Sequence, residues 1–76
     1  MHKFDRGLNE HNGCYYYTDY RFSADQQERL RARLRQLGEL ASFTVGDRGP
    51  DVTKKSGFAW SDVHSKVRAA MDVVRG

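Results

Sequence analysis

The sequence has few of the residues that cross-link a small protein or anchor it in a membrane. Its 76 residues include a single cysteine, Cys14, which excludes an intrachain disulfide and favours a reducing compartment. No apolar run approaches the roughly 20 residues that a membrane-spanning helix needs. The N-terminal residues also lack the apolar segment of a secretory signal peptide. We therefore expect a cytoplasmic protein with one domain over residues 1–76 and no membrane partner.

Patterns typical of catalysis and metal binding are also missing. Residues 46–50 are rich in glycine but lack the Gly-Lys-Ser/Thr sequence of a phosphate-binding loop. His11 and Cys14 have the spacing of two zinc ligands, but a structural zinc site needs about four ligands. His2 and His64 are the other histidines, and neither completes a nearby ligand set. We therefore expect no enzymatic activity, no metal and no cofactor.

Positive charge is concentrated in one segment of a chain whose formal net charge is +3. Four arginines take every second position of this segment: Arg29, Arg31, Arg33 and Arg35. On a helix, Arg29 and Arg33 lie about 40° apart, whereas Arg31 and Arg35 lie on the opposite side, at about 200° and 240°. Glu28 precedes Arg31 by three residues and is expected to pair with it. The run is thus two pairs of guanidinium groups rather than one patch.

Residues 14–22 form the clearest strand pattern, because they are rich in aromatic side chains and alternate in polarity. The even positions, which include Tyr16 and Phe22, form a mostly apolar face. The odd positions, which include Tyr15 and Tyr17, form a more polar face. This strand is therefore expected to cover a core with one face only.

Weaker signals predict the rest of the sheet. The pair Asn12-Gly13 favours a tight hairpin turn, which implies a first strand over residues 3–8. Residues 41–45 alternate between apolar and hydroxyl side chains and predict a third strand. Residues 46–57 hold three glycines and the only proline, so we expect a long basic loop there, with a short extended piece at Val52–Lys54.

Two helices are expected. Ser23 and Gln26 have the spacing of a capping box at the start of the first helix, and Gly38 is expected to end it. One apolar stripe of this helix consists of Leu30, Leu34 and Leu37. The second helix is expected to be capped by Ser61 and to run to about Arg75.

These elements predict a small α+β domain in the order ββαβα. We expect a three-stranded, mainly antiparallel sheet with two helices on one face. The other face would then be open, with Tyr15 and Tyr17 on it beside Arg21. Exposed aromatic rings next to a guanidinium group are typical of protein interfaces and of base-stacking surfaces. A covering loop or neighbouring strand is the alternative.

The basic residues allow two interpretations. The arginines are either the solvated flanks of an amphipathic helix, or contacts for phosphates or an acidic protein surface. Three basic residues of the predicted loop belong to the second hypothesis as candidate contacts: Arg48, Lys54 and Lys55. The complete candidate partner-binding set is Tyr15, Tyr17, Arg21, Arg29, Arg31, Arg33, Arg35, Arg48, Lys54 and Lys55.

In size and character, the whole chain resembles small phage-encoded inhibitors, including anti-CRISPR proteins. This resemblance implies a non-enzymatic, stoichiometric inhibitor in the host cytoplasm that occludes a larger protein or ribonucleoprotein complex and blocks its DNA binding. Because no motif carries the resemblance, no residue role is transferred from it. A small protein that binds nucleic acid directly is the alternative, followed by an antitoxin-like or ribosome-associated regulator. A homodimer also remains open, whereas the positive net charge argues against a mimic of DNA.

Overall fold

A computed structural model describes residues 4–8, by their backbone alone, and residues 13–76. The chain is a small α+β fold, as predicted. Its elements, in chain order, are β1 (Phe4–Leu8), β2 (Gly13–Thr18), α1 (Ala24–Arg35), β3 (Leu40–Gly46), β4 (Gly49–Lys54) and α2 (Trp60–Arg75). The predicted Asn12-Gly13 turn lies partly outside the described residues. His2 and His11 lie entirely outside them.

The described strands form one antiparallel sheet in the order β1-β2-β4-β3. The sheet therefore has one strand more than predicted, and the prediction of a long loop over residues 46–57 was wrong for residues 49–54. These residues form a strand between β2 and β3, which includes the short extended piece predicted at Val52–Lys54. Gly49 and Pro50 indicated a loop, because glycine and proline are uncommon inside strands. The alternation of the buried Val52 with the more polar Asp51 and Thr53 is nevertheless typical of a strand.

Both helices cover the same face of the sheet. In β2, Cys14, Tyr16 and Thr18 are fully buried, whereas the alternate tyrosines are exposed. Helix α1 packs on β3 and on α2, and α2 also contacts β4. The buried apolar residues of the helices are Leu30, Leu34, Val63, Val67, Ala70, Met71 and Val74. The predicted arrangement of helices and core is therefore confirmed.

Strand β2 ends at Thr18, four residues earlier than predicted. Two carbonyl groups of the β3–β4 turn bind the chain here. The Thr18 amide donates to the Arg48 carbonyl oxygen at 2.9 Å, and the Phe22 amide donates to the Asp47 carbonyl oxygen at 2.8 Å. These bonds satisfy the backbone as it leaves the sheet, so that the ring of Phe22 still reaches the core.

The sequence predicted the beginning of helix α1 correctly but not its end. The side chain of Ser23 accepts from the Gln26 amide, and the Gln26 side chain accepts in return from the Ser23 amide, which confirms the predicted capping box. The helix ends at Arg35, earlier than predicted. The amides of Gln36 and Leu37 bond three residues back, which tightens the last turn without a left-handed residue at Gly38.

Helix α2 begins at Trp60, and its cap is Ala59 rather than the predicted Ser61. The Ala59 side chain provides no capping hydrogen bond. Trp60 instead stacks on His64, one turn further on, with ring centroids 5.2 Å apart and planes at 19°. This contact accounts for the additional residues at the start of the helix.

The close approach of Gly49 to β2 yields a stability prediction. A Cβ atom at Gly49 would lie 1.8 Å from the Tyr16 carbonyl oxygen, and the φ angle there is +142°. Gly57 also has a positive φ, +92°, but a Cβ atom there would have no neighbour within 4 Å. We expect Gly49→Ala to lower the free energy of unfolding by about 3 kcal/mol or more, and Gly57→Ala by only about 1 kcal/mol.

Urea denaturation followed by circular dichroism measures both losses. Loss of the folded state in Gly49→Ala also agrees with the prediction, provided that Gly57→Ala folds. Similar losses in the two variants would contradict the steric argument, because they share the backbone strain and differ in the clash.

Candidate binding surface

Two tyrosines lie on the sheet face that the helices leave open. Tyr15 and Tyr17 are 37% and 38% exposed. Their ring centroids are 6.2 Å apart, with planes inclined at 56°. Because the intervening Tyr16 is fully buried, the strand itself holds both rings on the surface. The predicted exposure of the odd positions is thus confirmed.

Arg48 extends this pair of tyrosines. Its guanidinium group donates from Nη1 to the Tyr17 hydroxyl at 2.7 Å, and its Cζ lies 5.5 Å from the centre of the Tyr17 ring. The contact joins residues 31 positions apart, so no local sequence pattern indicates it. We call Tyr15, Tyr17 and Arg48 the tyrosine–arginine face.

The turn between β3 and β4 holds Arg48 in this position. Its two residues, Asp47 and Arg48, direct their carbonyl oxygens to the amides that follow β2. Arg21 adds an ion pair to Asp47, with Nη1 and Oδ2 3.0 Å apart. Both side chains of this pair are more than half exposed, so the pair adds little stability. Arg21, a predicted contact residue, therefore lies beside the face with its charge already paired.

The rest of the open face is polar and includes a carboxylate. In β4, Asp51 lies opposite Tyr15 on one side and opposite Thr44 of β3 on the other. Ser42 and Thr53 form the next pair along these strands. Sequence reasoning missed Asp51 and Thr53 because β4 was expected to be a loop. Their alternation with a buried valine was the signal that could have identified them.

The arginines of α1 lie in the helical layer, away from the tyrosine–arginine face. Arg29 pairs with Asp25 at 3.2 Å, and Arg31 pairs with Glu28 at 3.2 Å, as predicted for the second pair. Arg33 lines a groove between α1 and α2. The fold therefore does not bring the predicted set of ten residues together into one surface.

The predicted lysine contacts also lie elsewhere. The ammonium group of Lys54 is 5.7 Å from the centre of the Trp60 ring, and Lys55 is exposed beside it. Trp60 in turn stacks on His64, whose Nδ1 shares a hydrogen bond with the buried hydroxyl of Tyr16. This aromatic cluster on the helical side was not predicted. It satisfies the Tyr16 hydroxyl, which is otherwise costly to bury.

The groove between the helices has a volume of about 430 Å³. It is lined by Arg33, Gln36, Leu37, Glu39, Lys66, Ala69, Ala70 and Val73. Glu39 is only 8% exposed and forms an ion pair with Lys66. The hydrogen bond from Lys66 is the largest cause that lowers the pKa of the Glu39 carboxyl group, and a backbone hydrogen bond adds to it. Glu39 and Lys66 thus neutralise each other in the groove, and Arg33 adds a further positive charge.

Within the described ranges, no group of three or more His, Cys, Asp or Glu side chains could hold a metal ion. Cys14 is buried in the core. Among the helices described, none has the length and apolar character needed to cross a membrane. No protein-family model, curated protein or solved structure matches the chain.

The Glu39–Lys66 pair yields a prediction about pH. Because the folded state lowers the pKa of Glu39 below its ordinary value of 4.5, ionised Glu39 stabilises the fold above that pH. This contribution is lost as the pH falls through the lower folded-state pKa. We expect Glu39→Gln to lower the free energy of unfolding at neutral pH and to flatten its decline towards acid pH.

Urea titrations of both proteins, at neutral pH and at about pH 3, provide the measurement. Glu28→Gln is the matched control, because it removes the carboxylate of a pair in which Glu28 is 68% exposed. An unchanged pH dependence in Glu39→Gln, or an equal effect in the control, would contradict the assignment.

Proposed function

We propose that this chain is a non-enzymatic binding protein that docks on a larger nucleic-acid-handling complex through its tyrosine–arginine face. By occupying the complex in a stoichiometric manner, it blocks access of DNA, as small phage-encoded inhibitors of the anti-CRISPR type do. Such an inhibitor works in the host cytoplasm. The observation that carries the proposal is the contact of Arg48 with Tyr17, a hydrogen bond to its hydroxyl group and a cation–π contact with its ring, beside the half-exposed Tyr15.

Tyrosine and arginine are the residues that, together with tryptophan, are most enriched among energetic hot spots of protein interfaces. Here the tyrosines belong to the central strand β2, and the arginine belongs to a turn held by two backbone hydrogen bonds. A surface that is already ordered loses little conformational entropy on binding. The same rings on a mobile loop would bind more weakly for this reason.

Direct binding of nucleic acid is the alternative. An aromatic pair on an open sheet is compatible with base stacking, and the arginines of α1 are compatible with phosphate contacts. However, the α1 arginines lie in the other layer, with the helices. A strand of nucleic acid on the open face would therefore meet only one nearby guanidinium group of the set, Arg48, since Arg21 is paired with Asp47. The geometry favours a protein partner.

Titration of the chain with single-stranded and duplex DNA at two salt concentrations separates these classes. The proposal predicts no measurable binding at physiological salt and no site-specific effect of Tyr17→Ala. Micromolar binding with a steep salt dependence, weakened by Tyr17→Ala, would favour the nucleic-acid alternative and contradict the proposal.

Loss of the tyrosine–arginine face should abolish inhibition. The assay is phage plaque formation on a panel of bacteria, each of which carries one CRISPR type, with the chain expressed in each. We expect the chain to restore plaques in at least one host. When the chain is purified from that host, the effector complex should co-purify with it. In binding measurements with this complex, Tyr17→Ala should weaken the affinity by about 2 kcal/mol, which is roughly thirtyfold.

The control is the double variant Arg33→Gln/Arg35→Gln, which removes two positive charges from the helical layer and leaves the tyrosine–arginine face intact. It should retain inhibition. If no host of the panel loses immunity, the inhibitor hypothesis fails. If the control is as impaired as Tyr17→Ala, the binding surface has been assigned to the wrong layer.

A further inference from the structure

Strand β3 lies at one edge of the sheet. Within residues 4–8 and 13–76, it pairs only with β4. In an antiparallel ladder, every second residue of an edge strand points its N–H and C=O groups away from its neighbour. The outer side of β3 is therefore a row of backbone groups that a further strand can pair with.

This edge has little of the protection that sheets usually carry. Residues 42–46, Ser-Phe-Thr-Val-Gly, include no charged residue and no proline, which are common means of preventing pairing. The one irregularity of the strand lies between Leu40 and Ser42, at its beginning. Phe43 and Val45 are only partly buried and pack at the margin of the core. Their remaining apolar surface lies next to the open edge.

We infer that β3 pairs with β3 of a second copy of this chain, in an antiparallel arrangement centred on Thr44. A strand that pairs with its own copy places identical charges near each other, and the charge-free β3 avoids this cost. The two Thr44 side chains would meet on the open face, and Phe43 of each copy would meet Val45 of the other. Cross-strand threonine pairs and aromatic–β-branched pairs both stabilise sheets.

The dimer would have one continuous eight-stranded sheet, since each copy contributes the four described strands. The two-fold axis would run perpendicular to the sheet, so both tyrosine–arginine faces would lie on the same side. This inference does not rest on the proposed function, because it uses a different surface and has its own test. If both hold, the dimer presents two copies of the face to one partner complex, with a gain in avidity.

Two opposite substitutions at Thr44 test the pairing. Sedimentation equilibrium of the wild-type chain should show a monomer–dimer equilibrium. Thr44→Lys alone and Thr44→Glu alone should each raise the dimer dissociation constant at least about tenfold, because like charges then face each other at the two-fold axis. An equimolar mixture of the two variants should associate again as a heterodimer.

Thr53→Lys, on the same face but in the central strand β4, is the matched control and should leave the dimer intact. Circular dichroism verifies that each variant retains the fold. A wild-type chain that is monomeric at the highest concentration reached would overturn the inference. Dimerisation that survives both Thr44 substitutions, or a mixture that stays monomeric, would overturn it as well. None of these outcomes bears on whether the tyrosine–arginine face binds a partner.

Discussion

The backbone hydrogen bonds between the β3–β4 turn and the end of β2 are the constraint on which the rest of the structure depends. The amides of Thr18 and Phe22 donate to the two carbonyl groups of this turn, and Gly49 allows the backbones to approach. The contact fixes β4 beside β2, directs Phe22 into the core and places Arg48 over Tyr17. These backbone contacts thus join the packing of the core to the geometry of the candidate binding surface.

The two layers of the protein have different surface chemistry. The helical layer holds the arginine run, in which Arg29 and Arg31 pair with acidic neighbours of the same helix. Among its described side chains, the open sheet face holds aromatic rings, hydroxyl groups, the carboxylate of Asp51 and the guanidinium group of Arg48. The charge that dominates the sequence is therefore partly neutralised within α1. The proposed contact depends instead on a rigid aromatic surface, for which net charge is a poor indicator.

The sequence predicted those features that depend on local patterns. The capping box at Ser23, the burial of Leu30 and Leu34, and the alternation in β2 were all confirmed, because each depends on neighbours within one or two turns. Strand β4 was predicted only as a short extended piece at Val52–Lys54, because Gly49 and Pro50 look like loop residues. Their pairing with β3 makes them part of the strand. The contact of Arg48 with Tyr17 arises from the tertiary fold. The inhibitor function stays a prediction, since it depends on a partner outside the chain.

Hydrogen–deuterium exchange tests most directly whether the tyrosine–arginine face is the binding surface. The chain is measured alone and bound to the effector complex with which it co-purifies. Our account predicts that binding slows exchange in β2 and in the turn at Asp47 and Arg48. Exchange in α1 should change little. Slower exchange confined to α1 and to the groove between the helices, with no change in β2, would contradict the assignment of the tyrosine–arginine face as the binding surface.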